Sequence, residues 1–503
     1  MTLDLYILIT CVKLLLIPSY FSTDFEVHRN WLATTYSLPL SQWYSAKHSE
    51  WTLDYPPLFA WFEYILSKLA VYVDKDMLSV NNLKYSSSDT IIFQRLSVII
   101  SDSVFFYGSH KCVQNIALII PKHIKKQKLF NEDKNTIKIF LVANVTLLLL
   151  DHVHFQYNGF LFGILLISIS HILKGENYWS AFWFSVLLNF KHIYLYLAPA
   201  YFIYLLKHFC LKQNTLTALR RLLKLTVIIL IVFGISFGPF IWYGQLSQVL
   251  HQLFPFKRGL SHSYWAPNFW ALYNTLDIGA KLACKNFGFL KKNETASMTG
   301  GLVKTFKHSI LPSITPQTTF ILTLVFILPC LWRLWNSKKC SIDFIQCLVL
   351  CGLTSFLFGW HVHEKAILLA VIPLTLLVDV SSCDCAVFTL LSTIATYSVF
   401  PLLFEPLEFP TKTLLFLVYV YFLYKRGKFN SLYSIERYYL ISLGPLLLLT
   451  DIVIIFLGLK NRYPFLPLLL TSFHNSIGVF YCWLKYYFYN LYSNSNQSKY
   501  KDK

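Results

Sequence analysis

The chain has 503 residues, of which 55% are hydrophobic and only 14% charged, where a soluble domain carries about a quarter charged residues. That deficit, together with apolar runs at Leu225–Phe240, Thr318–Leu334 and Leu440–Leu457 that approach the ~20 residues a membrane-spanning helix needs, excludes an ordinary soluble protein. The net charge of +19 does not point to nucleic acid, because no aromatic-interleaved basic module or zinc-finger spacing accompanies it and the Lys and Arg residues collect between the apolar runs.

In chain order, hydropathy predicts spans at 4–20, 90–107, 137–150, 159–173, 178–190, 193–206, 225–243, 316–334, 342–359, 366–379, 385–402, 412–424, 438–457 and 464–486, fourteen in all and entirely helical. The first contains Lys13, has an acidic flank and is followed by no small-x-small cleavage site, so it reads as a retained helix rather than a signal peptide. Basic residues fill segment 108–136 (Lys111, Lys122, Lys125, Lys126, Lys128, Lys134), segment 207–224 (Lys207, Lys212, Arg220, Arg221, Lys224), segment 335–341 (Lys338, Lys339) and segment 425–437 (Lys425, Arg426, Lys428, Arg437). Counting spans puts all four on one side, which the positive-inside rule makes cytosolic. The even count brings both termini to that side, including the basic tail 487–503.

The opposite side receives 21–89, 151–158, 244–315 and 360–365. Segment 244–315 carries the sequon Asn293-Glu294-Thr295, a glycosylation acceptor if lumenal. A second sequon, Asn496-Gln497-Ser498, falls on the cytosolic side. Lys499 and Lys501 in the tail have the spacing of a dilysine retrieval signal for the endoplasmic reticulum, against the plainer reading of a basic tail. The eleven cysteines are scattered and form neither a disulfide framework nor a zinc pattern.

Four polar clusters land on that opposite face: Ser22 to Arg29, Trp51 to Pro57, Asp151 to Asn158, and Trp360 to Lys365. Singly, each has a structural reading. Asp24 reads as a solvated helix-end carboxylate, and Asp54 as a turn cap before Tyr55-Pro56-Pro57. Asp151, His154 and Asn158 read as one polar helix stripe, and His361 and His363 as interfacial histidines. Together they read as a site, because ionisable groups near a membrane are costly, about 2.5–3.5 kcal/mol each at its centre on insertion scales. Carboxylates offer a general base, and Lys257, Arg258, His363 and Lys365 offer cations for a phosphate. No phosphate-binding G-x-x-x-x-G-K-[ST] loop or G-x-S-x-G elbow is present. His152-x-His154 lacks an evident third metal ligand, and Asp74-x-Asp76 lies in a polar, helix-like stretch, so no metal ligand is assigned. These residues suit transfer of a group from a phosphate-activated, lipid-linked donor. A lipid-linked sugar transporter is the competing class; the absence of an internal repeat and the helix-end position of the clusters argue against it.

The strings Thr23-Asp24-Phe25-Glu26, Arg29-Asn30-Trp31, Leu53-Asp54-Tyr55-Pro56-Pro57, His154-Phe155-Gln156-Tyr157-Asn158, Leu253-Phe254-Pro255, Arg258-Gly259 and Val362-His363-Glu364-Lys365 occur in that order. Through them, essentially the whole chain resembles the endoplasmic reticulum glucosyltransferases of asparagine-linked glycosylation, which use dolichyl phosphate glucose and have the GT-C membrane fold. Ser49-Glu50-Trp51-Thr52, Tyr264-Trp265-Ala266-Pro267-Asn268-Phe269-Trp270, Thr23 and Gly159 resemble the branch that adds the second glucose, in α-1,3 linkage, to Glc1Man9GlcNAc2-diphosphodolichol. First-glucose transfer to Man9GlcNAc2-diphosphodolichol is the alternative. The resemblance implies an inverting displacement with Asp24 as general base and Asp54 supporting it or orienting the acceptor. It implies His363 and Lys365, then Arg258, on the donor phosphate, and His152, His154, Gln156 and Asn158 lining the sugar pocket. It implies no cofactor, no metal and no nucleic-acid partner, two lipid-linked substrates, and a multi-pass protein of the endoplasmic reticulum membrane with lumenal active-site loops and cytosolic termini.

Overall fold

The structure, a computed structural model, describes residues 2–119, 130–254, 259–262, 265–287, 308–338 and 340–492. The sequons at Asn293 and Asn496, the terminal lysines, Lys257 and Arg258 lie outside the described residues. The chain forms two compact units, Met1–Pro255 and Phe256–Lys503.

The first unit begins with α1 (Thr2–Leu15), α2 (Thr23–Ser37), α3 (Pro57–Ala70), α4 (Ser88–Ser101), α5 (Ser103–Ile119) and α6 (Phe130–Val142). A π-helical turn, Leu148–Phe155, leads to α7 (Asn158–Lys174), α8 (Asn177–Phe190), α9 (Thr215–Trp242) and α10 (Leu246–Leu253). Local chemistry sets the helix starts. The Ser22 side chain caps α2 by accepting from the Asp24 N–H, Ser87 caps α4 through Thr90 N–H, and Asn214 caps α9 through Thr217 N–H. Pro57 opens α3, where its missing N–H costs nothing. α5 and α7 pack backbone to backbone: a Cβ on Gly108 would stand 2.5 Å from the Gly163 carbonyl oxygen, and one on Gly163 2.5 Å from the Phe105 nitrogen.

The second unit contains α11 (Phe269–Asn286), α12 (Pro316–Trp335), α13 (Cys340–Phe358), α14 (Leu368–Thr375), α15 (Ser382–Ser398), α16 (Glu408–Lys425), α17 (Ser434–Leu448) and α18 (Leu466–Tyr492). α13 and α15 are almost wholly buried, and α18 packs against α15, α11 and α13.

Among the described residues, seven helices are long and apolar enough to cross a membrane: Ser88–Ile116, Lys134–Phe155, His192–Cys210, Thr215–Trp242, Pro316–Trp335, Ser341–Phe358 and Ser382–Leu402. The chain is an all-α, multi-pass membrane protein. Helices also stand at the other expected spans, but length and composition alone do not make the count fourteen. At ~1.5 Å per residue, the 14-residue α1 covers about 21 Å, short of a ~30 Å hydrocarbon core. α16 carries the buried Lys412.

Two expected loops are helical. Segment 21–89 is built around α2 and α3, packed on each other, with Trp31, Phe59, Tyr44 and Phe155 in their shared core. Residues 151–155 complete the π-helical turn, so only Gln156 and Tyr157 separate it from α7.

Candidate functional site

In the first unit the site grows from the start of α2. The Ser22 N–H and hydroxyl both donate to the His154 carbonyl, at 3.0 and 2.7 Å, which ties the helix start to the end of the π-helical turn. Asp24 therefore occupies the first turn of α2, where the helix dipole favours a carboxylate. His154 Nε2 lies 3.4 Å from Asp24 Oδ2, and Gln156 Nε2 donates to the same oxygen. The Asp24 side chain keeps 29% of its surface exposed while His154 keeps 11%, so a substrate hydroxyl can reach the carboxylate.

Backbone strain aims Gln156. Phe155 has φ +84°, a region costly for a bulky side chain. It is held there by ring contacts with Phe25, His28 and Tyr157. Buried Arg95 donates to the carbonyls of Tyr20 (2.9 Å) and Val153 (3.0 Å), clamping both approaching segments.

Behind Gln156, Asn158 Nδ2 donates to Gln156 Oε1 (2.7 Å) and to Asp151 Oδ1 (2.8 Å), and Lys191 Nζ donates to Asn158 Oδ1 (3.3 Å). The other Asp151 oxygen accepts the Gly159 N–H at 2.6 Å. Asp54 faces the same ground through Tyr55: burial, then the Asp54 and Asp24 carboxylates, hold the Tyr55 hydroxyl well above its ordinary range. Burial and Asp54 do the same to Tyr44, whose hydroxyl donates to the Tyr55 carbonyl at 2.6 Å.

The structure thus joins Asp24, His154, Gln156 and Asn158 through hydrogen bonds or short contacts. His152 belongs to a different group. Its Nε2 lies 2.8 Å from Asp102 Oδ2, which also receives Lys13 Nζ at 2.5 Å, all of it buried. Asp74, half of the acidic pair, accepts from Thr90 and Ser87 and from the Asp76 N–H, and so organises a turn.

In the second unit, segment 259–262 runs along 360–363. His361 N–H donates to the Leu260 carbonyl at 2.9 Å, His361 Nδ1 lies 2.7 Å from the Gly259 carbonyl, and Ser261 pairs with Val362 in a parallel bridge. His361 has φ +52°. This alignment brings the His262 ring over His363, centroids 3.6 Å apart, with His361 5.5 Å away. His363 Nδ1 lies 2.9 Å from Glu364 Oε1. Loss of hydration, then the neighbouring His363, holds the His262 imidazole well below the usual histidine range, so this ring is neutral at pH 7. Ligand atoms of His262, His363 and Glu364 lie within 4.8 Å of one another, so among the described residues these three could hold a cation. With Lys365 next in sequence, the cluster equally offers ring N–H and ammonium groups to an anion. Trp270 Nε1 braces it by donating to the Gly359 carbonyl at 3.0 Å.

Sequence reasoning missed Lys191, Arg95, Asp102 and His262 as members of these groups. Three left a signal: Arg95 and Asp102 are charges inside or beside an apolar run, and Lys191 stands alone between two runs.

The sequence profile of the ALG6, ALG8 glycosyltransferase family matches residues 9–486. The chain belongs to this family. It is similar to the dolichyl pyrophosphate Glc1Man9GlcNAc2 alpha-1,3-glucosyltransferase of Bos taurus, with 48% identity over 497 residues covering 95% of this chain and 93% of the relative. The Drosophila melanogaster protein described as probably having the same activity is 48% identical over 491 residues, covering 96% and 93%. The Schizosaccharomyces pombe alpha-1,3-glucosyltransferase of the same name is 41% identical over 485 residues, covering 94% of each chain. Membership in this family makes glycosyl transfer the chemistry against which the two clusters are read.

Proposed function

We propose that this protein transfers glucose from dolichyl phosphate β-glucose to the terminal glucose of Glc1Man9GlcNAc2-diphosphodolichol, forming an α-1,3 linkage. The observation that carries the reading is Asp24: a carboxylate in a helix first turn, supported by Gln156 and His154, and open on one side.

Asp24 takes the proton of the acceptor 3-hydroxyl as its oxygen attacks the anomeric carbon. The bond from that carbon to the phosphate oxygen breaks on the opposite side, which inverts the configuration. Dolichyl phosphate leaves as an anion and needs no general acid, only compensating charge. His363 and Lys365 supply it first, with Arg258 as the third group. Asp54 orients the acceptor or supports the base. His154, Gln156 and Asn158 contact the sugars, and His152, expected beside them in the sugar pocket, is paired instead with buried Asp102. A positioned base contributes about 10²–10⁴-fold in rate.

The same reading places the protein in the endoplasmic reticulum membrane with a GT-C arrangement of about fourteen crossings. Segments 21–89 and 244–315 are lumenal, and the termini, with tail 487–503, are cytosolic. The one-sided distribution of Lys and Arg supports the sidedness, and the lipid-linked substrate in the relatives' printed names supports the membrane setting.

The test is incubation of the purified protein with dolichyl phosphate glucose and either Glc1Man9GlcNAc2- or Man9GlcNAc2-diphosphodolichol, followed by mass analysis of the released glycans. One hexose added only to the Glc1 acceptor, lost in Asp24→Asn, is the expected result. Addition to the Man9 acceptor makes this the first-glucose enzyme. No transfer to either by folded protein favours a lipid-linked sugar transporter.

A further inference from the structure

Two side-chain amides stand between Lys191 and Asp24. An amide can face either way, and each flip exchanges a donor for an acceptor. With its oxygen toward Asp24, Gln156 would oppose a carboxylate with an acceptor. With its nitrogen there, it donates. The next residue makes the choice: Asn158 Nδ2, 2.7 Å from Gln156 Oε1, requires that oxygen to accept and so turns the Gln156 NH₂ toward Asp24. Asn158 is in turn oriented by charge. A donor-only ammonium, Lys191 Nζ, stands at its Oδ1 (3.3 Å), and Asp151 Oδ1 stands at its Nδ2 (2.8 Å). Both contacts favour the same orientation, and aligned hydrogen bonds polarise one another in a low-dielectric interior.

We propose that Lys191 is a positioning residue for the general base: through Asn158 and then Gln156 it fixes the direction of a two-amide relay that keeps a hydrogen-bond donor on Asp24. This rests on the reading of Asp24 as the base.

Lys191 is built for such a role. It is 8% exposed, its N–H continues α8 by donating to the Leu187 carbonyl at 2.9 Å, and its ammonium lies 4.8 Å over the Tyr55 ring. Facing Asp24 are Ser22 and its own helix start, His154 and Gln156 from the end of the π-helical turn, and Tyr55 from the segment before α3, on which the Asp54 carboxylate also acts. Asp151 bears on Tyr55 as well. The other charged groups of α2 are engaged elsewhere, Glu26 with Arg29 and His28 with Glu63 of α3. A donor on a carboxylate stabilises its ionised form. Without the ammonium only Asp151 holds the orientation of Asn158, and in the fraction of molecules where Asn158 turns over, Gln156 presents its oxygen and protonated Asp24 gains a partner that ionised Asp24 lacks. The base becomes harder to ionise.

The test measures kcat and both KM values from pH 5 to 9 for the full chain, Lys191→Met, Lys191→Arg and Asn158→Leu, with dolichyl phosphate glucose and Glc1Man9GlcNAc2-diphosphodolichol. For Lys191→Met we expect the acid limb of kcat to move about one pH unit upward, with about a tenfold loss near the limb that is regained at high pH and unchanged KM values. Lys191→Arg, which keeps a cationic donor, stays near the wild-type profile. Asn158→Leu, which cannot donate to Gln156 and adds no charge, shifts in the same direction as Lys191→Met and serves if that variant does not fold. An acid limb left at the wild-type position in either variant overturns the proposal, whatever happens to the rate. A raised donor KM with an unmoved limb does so as well and makes Lys191 a substrate contact. An inactive wild type would count against the proposed function itself, whereas an active wild type with unmoved limbs in the variants counts against the relay alone.

Discussion

Ser22 does three things with one residue. Its hydroxyl accepts from the Asp24 N–H, and its hydroxyl and N–H both donate to the His154 carbonyl. Ser22→Ala loses the cap and one tie to His154, a change expected to cost about 1–2 kcal/mol. Because the lost bonds position Asp24, kcat should fall more than either KM changes. Thermal unfolding and steady-state kinetics on the same preparation check both. His262 offers a pH test of another kind. Burial and the neighbouring His363 hold its folded-state pKa well below the ordinary histidine value of about 6.5, so the unfolded chain takes up a proton at this residue before the folded protein does. Stability from this residue is therefore present above pH 6.5 and lost as pH falls through the folded value. Unfolding curves between pH 7.5 and about 5 should show His262→Gln losing less stability than wild type; equal losses would contradict the assignment. At this scale the sequence was most legible where unusual residues stood in strings, as in Thr23-Asp24-Phe25-Glu26. It was least legible where partners are far apart in the chain: nothing near His262 in sequence announces His363.

α2 shows why an element escapes hydropathy. Residues Phe25 to Thr35 are buried without interruption apart from the half-buried Val27, yet they include Glu26, His28, Arg29 and Asn30, whose polar groups are satisfied by Arg29 with Glu26, by Glu63 and by the Trp51 carbonyl. Burial through satisfied polar contacts leaves no apolar stripe to read, so a helix was expected as a loop. The π-helical turn escaped for the opposite reason: its Asp151–Phe155 end is polar and was set apart from an apolar span to which it is continuous. The spans themselves were legible, since apolar length is what a bilayer demands. At the junction of these elements, Gly159 is sterically required. A Cβ there would stand 2.1 Å from Asp102 Oδ1, and Asp102 is held by Lys13 and His152 and has little freedom to withdraw. Gly159→Ala is expected to destabilise by about 1–3 kcal/mol and to disturb Asp151, whose Oδ2 accepts the Gly159 N–H. A lowered melting temperature together with reduced kcat would confirm this, and a silent substitution would show that Asp102 can move.

For the whole molecule, seven apolar helices and the proposed fourteen crossings differ in what they demand of the shorter or more polar segments. Sidedness can be measured directly. In a cysteine-depleted background, Glu50→Cys and Asn430→Cys place thiols at exposed positions in segments proposed to be lumenal and cytosolic. An impermeant maleimide applied to sealed endoplasmic reticulum vesicles should label Asn430→Cys at once and Glu50→Cys only after the membrane is opened. Labelling of both in sealed vesicles would break the topology between residues 50 and 430.

The group formed by Lys13, Asp102 and His152 also bears on how the protein is made. Lys13 leaves the ribosome 89 residues ahead of Asp102, and His152 follows 50 residues later still. An unpaired ammonium is costly inside a bilayer, about 2.5–3.5 kcal/mol at its centre on insertion scales, and Lys13 gains its buried counter-ion only once α4 and α5 arrive. α1 is thus made well ahead of the carboxylate that pairs with its buried Lys13.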